Sequence, residues 1–78
     1  MPTVFQEGQY TFIFFSSDRG EPPHIHVKHE HRIAKFWIAP TMLAKNKGFA
    51  SNELNQIVHI IERNETRLLE AWHEYFDS

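Results

Sequence analysis

The chain has 78 residues, six histidines, no cysteine and a formal net charge of -2. That length supports one domain with a marginal core, and the lack of cysteine excludes disulfides and thiolate metal sites. A hydrophobic content of 41% excludes a disordered chain, while no apolar run approaches the ~20 residues that a membrane-spanning helix needs.

Thr3-Val4-Phe5 reads as a short first strand and Gln6 to Gln9 as a turn around Gly8. Tyr10 to Phe15 is a second strand, apolar on both of its alternating faces, which a second subunit in a homodimer would cover. Ser16 to Pro23 is a polar loop. Pro23 has no N–H for a sheet ladder, so the next strand begins at or after it. Residues 24–29 and 32–38 form a β-hairpin about Glu30-His31, although neither residue is the Gly or Asn that a tight turn prefers. The alternation sets its register: Val27 opposite Ala34 and Ile25 opposite Phe36, with His24, His26 and Lys28 opposite Trp37, Lys35 and Ile33 on the other face. A slip of one residue would put Ile25 and Phe36 on opposite faces.

Ala39-Pro40 marks a turn, and residues 41–45 form either a last strand or a short helix ending at Gly48. Ser51 is the expected helix cap, with Glu53 in the first turn where the helix dipole favours a carboxylate. Leu54, Ile57, Val58, Ile61, Leu68, Trp72 and Tyr75 recur at spacings of three and four, interrupted at Glu65. This predicts one long helix over 51–76, bent near Asn64, with Trp72 and Tyr75 in the core. The expected fold is α+β, a single domain over 1–78. A small curved antiparallel sheet, mainly within 1–47, packs against that C-terminal helix.

Charge is segregated along the chain. Between residues 28 and 47, Lys28, Arg32, Lys35, Lys45 and Lys47 stand against Glu30 alone, whereas the last third is acidic. A basic segment attracts phosphate or an acidic protein. The sharpest local pattern lies beside it: Pro22-Pro23-His24-Ile25-His26-Val27, followed by His29 and His31. On a strand, His24 and His26 project from one face.

Three chemistries fit that pair. As metal ligands, His24 and His26 would hold a divalent ion, with a third ligand from Asp18, Glu21, His29, His31 or His73. No other cofactor is called for. As catalysts, they would exchange protons during phosphodiester cleavage while Lys35 stabilised the transition state. As a binding face, His24, His26, Lys28, Arg32, Lys35 and Trp37 would hold a partner protein or nucleic acid by charge and ring stacking. A purely structural role is also open to His24, whose ring can hydrogen-bond a loop carbonyl and pin the strand entry. The start of the chain lacks a charged segment followed by an apolar core, so a cytoplasmic protein is expected.

Three motifs in order, Pro22-Pro23-His24-Ile25-His26-Val27, Ala34-Lys35-Phe36-Trp37-Ile38 and Leu69-Glu70-Ala71-Trp72-His73-Glu74-Tyr75-Phe76, resemble the small bacterial domain-of-unknown-function family numbered 4160. The opening Met1-Pro2-Thr3-Val4 is similar too. The resemblance carries over Pro23, His24, His26, Lys35, Trp37 and Trp72. Members are often encoded beside a second small domain, so it implies a toxin–antitoxin-like interaction module and no particular reaction.

Overall fold

A computed structural model describes residues 3–76. Five strands, β1 (Thr3–Glu7), β2 (Tyr10–Ile13), β3 (His24–His29), β4 (Arg32–Trp37) and β5 (Met42–Lys47), are followed by two helices, α1 (Ser51–Arg63) and α2 (Glu65–Phe76). The sheet is antiparallel and its spatial order is the chain order, β1-β2-β3-β4-β5. Among the described residues, no helix is long and apolar enough to cross a membrane.

The central hairpin has the register that alternation dictates, with Ile25 opposite Phe36, Val27 opposite Ala34, His24 opposite Trp37 and His26 opposite Lys35. Its turn is the two residues Glu30-His31, and Glu30 takes the left-handed backbone (φ 57°) that a tight turn requires. Ile25, Val27, Ala34, Phe36 and Ile38 are buried with Phe12, Phe14, Ile57, Ile61, Leu68, Trp72 and Phe76 in one core between sheet and helices. On the outer face of β2, Ile13, which pairs with His26, is buried within the single chain.

Residues 42–47 are a strand, not a helix, and every residue of β5 is exposed. Phe36 pairs with Leu43 but Lys35 pairs with Lys45, so Ala44 is an extra residue in the ladder. Leu43 and Lys45 would share a face in a regular strand. The bulge separates them and turns Lys45 and Lys47 to the outer face, opposite Lys35 and Ile33. Gly48 then leaves the strand at φ +104°, where a Cβ would come within 2.7 Å of Arg32 Cγ. Asn46 closes the link to α1: its side chain donates to the Phe49 carbonyl and accepts from the Phe49 N–H.

The single long helix is corrected to two. Asn64 stands between them with φ -113°; its N–H donates to the Ile61 carbonyl and its side-chain amide to the Ile60 carbonyl. By taking up these helix-end carbonyls Asn64 caps α1, and the chain restarts at Glu65, where the apolar stripe is interrupted. The cap of α1 is also shifted. Ala50, not Ser51, precedes the helix, and the Glu53 carboxylate accepts the Ala50 N–H. Trp72 is core as its spacing predicts, whereas Tyr75 is 37% exposed.

Candidate functional site

Pro22 and Pro23 deliver the chain into β3 at His24, and the His24 side chain is fully buried. Its ring lies 5.0 Å from Trp72 and 5.5 Å from Trp37, centroid to centroid. The carbonyl of Pro22 lies 2.9 Å from His24 Nδ1. A carbonyl only accepts, so Nδ1 carries the proton, and in a neutral ring Nε2 carries the lone pair. The pinned strand entry open to a histidine after two prolines is therefore present, but it occupies only one ring nitrogen.

The other nitrogen faces Asp18. A 3-10 turn over Ser16–Asp18 follows β2, and Asp18 Oδ2 accepts the Phe15 N–H at 2.9 Å. The carboxylate is thereby fixed with its other oxygen 3.1 Å from His24 Nε2. That contact lacks hydrogen-bond alignment, and Nε2 is buried with no hydrogen-bond partner among the described residues. His26 Nδ1 is also buried and unpartnered, 3.6 Å from Asp18 Oδ2. Phe15 packs edge-on against the His26 ring at 4.4 Å. The three ligand atoms of Asp18, His24 and His26 all lie within 4.8 Å of one another.

Burial pushes the His26 pKa below its ordinary value near 6.5; the Asp18 carboxylate opposes the shift, and His24 and Lys35 add to it. Unfolding raises that pKa, so the unfolded chain takes up more protons as the pH falls. This contribution to stability is complete above pH 6.5 and is lost as the pH drops through the lowered value. His26→Gln should therefore flatten the fall in Tm between pH 7 and pH 5. A profile as steep as that of the unaltered chain would show that His26 does not titrate in this way.

The proposed binding residues divide. Lys28, Lys35 and Trp37 share the outer face with His26. Lys35 is engaged there, with Nζ 2.7 Å from Glu21 Oε1 and 4.7 Å from the Trp37 ring centre. The hydrogen bond from Lys35 holds the Glu21 carboxyl below its ordinary range. Arg32 lies on the helix side. It pairs with Glu53 of α1 at 3.3 Å and with Glu30 at 3.1 Å, which separates it from the lysines. His24 belongs to the cluster but is too deeply buried to serve as contact surface.

Of the five candidates for a third ligand, the fold brings Asp18 to the pair. His29 faces the helix side, with Nδ1 2.9 Å from the Gln9 carbonyl, and His31 sits in the exposed turn. Glu21 is 3.9 Å from His24 Nδ1, the nitrogen already committed to Pro22. Sequence reasoning missed Lys45 and Lys47 as site residues. With Lys35, His26, Phe15, Ile33 and Ala34 they line a hollow of about 210 Å³ on the outer face. A signal for them existed in the i, i+2 spacing of Lys45 and Lys47, which puts both on one face once 42–47 is a strand. A larger depression of about 940 Å³, between the β1–β2 turn and α1, lies on the helix side. Its charged groups are already engaged, Arg63 with Glu7 and Glu53 with Arg32.

No curated protein and no solved structure matches the chain significantly. The model of one domain of unknown function, DUF4160, matches residues 10–73, which include β2 to β5, both site histidines, Asp18 and nearly all of both helices. The chain with this histidine pair and its lysine-lined outer face therefore belongs to the DUF4160 family.

Proposed function

We propose that the protein is a toxin–antitoxin-like interaction module that takes a partner protein, and the phosphates of nucleic acid, on the outer face of its sheet. The observation that carries this reading is the placement of Lys28, Lys35, Lys45 and Lys47 on that face, three of them around the hollow beside His26. Lysines on one rigid surface neutralise a run of phosphates or an acidic protein patch together. Trp37, half-buried on the same face, supplies a ring against which a base or an aromatic side chain can stack.

Fluorescence anisotropy with a single-stranded oligonucleotide at several salt concentrations tests the phosphate part. Lys45→Glu with Lys47→Glu should weaken binding at least tenfold and reduce the salt slope by about 2. These exposed positions carry little of the fold, so binding equal to that of the unaltered chain would end the reading. The neighbouring gene tests the partner part: a small companion protein should be encoded there, and on co-expression the same double variant should fail to form the complex.

A second reading is supported by Asp18 beside both histidines. In phosphodiester cleavage, His26, which reaches the hollow, would take the proton of the attacking hydroxyl and return it to the leaving oxygen, with the Asp18 carboxylate beside it favouring the protonated ring. This reading expects His26→Gln to abolish turnover of an oligonucleotide and leave its binding intact.

A further inference from the structure

We propose that Asp18, His24 and His26 form a binding site for one divalent first-row transition-metal ion, of the zinc type. Two independent observations meet at this point. The first is convergence: one carboxylate and two imidazole nitrogens lie within 4.8 Å of one another. The second is that the two nitrogens are buried and unpartnered. His24 Nε2 belongs to a fully buried ring.

Pro22 holds the His24 proton on Nδ1, so a neutral His24 presents a lone pair to a carboxylate oxygen 3.1 Å away. Two acceptors at that distance repel unless a proton or a metal ion lies between them. Histidine metal ligands commonly carry this arrangement, with the outer N–H given to a backbone carbonyl and the inner nitrogen left free for the ion. Distances agree as well. An ion about 2.0–2.1 Å from each ligand in tetrahedral geometry sets neighbouring ligand atoms about 3.3 Å apart. The two contacts to Asp18 bracket that value, 3.1 Å from His24 Nε2 to Oδ1 and 3.6 Å from His26 Nδ1 to Oδ2, one to each oxygen of the carboxylate.

The donor set decides the class of ion. Two imidazoles with one carboxylate suit zinc, iron, cobalt or nickel, whereas magnesium and calcium seek all-oxygen surroundings. Three protein ligands leave a coordination position open. His26 is also a wall of the lysine-lined hollow, which sets the proposed metal site beside it. Metal binding here is independent of partner binding, and either can fail without the other.

The test uses the full chain after treatment with EDTA. Calorimetric titration with zinc chloride, and cobalt absorption, should each report one equivalent bound. With zinc at a hundred times its dissociation constant, Tm should rise by about 10–20 °C, and magnesium should leave it unchanged. Asp18→Asn, which keeps an oxygen to accept the Phe15 N–H, and His26→Gln should each weaken zinc binding more than tenfold. The triple variant His29→Gln, His31→Gln, His59→Gln should bind as the unaltered chain does. Should a cluster variant fail to fold, histidine NMR on the unaltered chain replaces it: zinc must move the His24 and His26 resonances and leave those of His31 and His59 in place. Absence of stoichiometric binding, equal binding of magnesium, or loss of binding in the triple variant would overturn the site.

Discussion

Trp72→Ala should bring the protein close to unfolding at room temperature. Trp72 is 5% exposed and stands where α2 meets both the core and the site. Its ring lies 4.1 Å from Phe76, 5.3 Å from Phe14 and 5.0 Å from His24. Truncating a buried tryptophan costs about 3–5 kcal/mol. A domain of this length has roughly 4–12 kcal/mol in total, so the loss is a large share. Thermal melting followed by circular dichroism should show Tm falling by well over 10 °C. The comparison is Trp37→Ala on the outer face, where the ring is half-buried beneath Lys35 and the drop should be smaller. Equal losses at the two positions would refute the assignment of Trp72 as the residue joining helix, core and site.

His24→Ala is the second large effect, about 2–4 kcal/mol, and it has two parts. One is packing, because the ring fills space between Trp37 and Trp72. The other is the bond from Nδ1 to the Pro22 carbonyl, which pins the loop to the strand. His24→Asn separates them. The asparagine amide is placed to donate to the same carbonyl but leaves most of the ring volume empty, so it should recover about 1 kcal/mol relative to alanine. Urea unfolding with an unchanged m-value measures both variants. If the asparagine and alanine variants are equally unstable, the carbonyl bond contributes nothing and packing alone explains the burial.

The hairpin was legible because its apolar residues alternate without a break: only one register buries Ile25, Val27, Ala34 and Phe36 together. From that register the outer positions of His26, Lys28, Lys35 and Trp37 follow. Strand β5 was legible only as one of two alternatives, strand or short helix, since Ala44 breaks the alternation and leaves Met-Leu-Ala-Lys-Asn-Lys with neither period. The division of the helix was half-legible. The apolar stripe lapses at Glu65, but whether a lapse bends a helix or ends it depends on which carbonyls Asn64 takes up. Asp18 was visible only as one acid among several possible ligands. Its position depends on a three-residue turn in a polar loop, where no periodicity constrains the path. Arg32 was grouped with the lysines by charge, although its own parity places it with Ala34 and Phe36 on the helix side.

The order in which the strands lie also bears on how the molecule assembles in time. Each strand pairs with its neighbour in sequence, so the sheet can grow by closing short loops, the circumstance that makes small domains fold fast. Asp18 and His26 lie on one short stretch of chain from the 3-10 turn into β3 and are brought together when β2 pairs with β3. Trp72, from the far end of the chain, arrives only when α2 docks. In stopped-flow traces, a substitution at Trp72 should therefore mainly speed unfolding, whereas one at Val27 in the hairpin should slow folding.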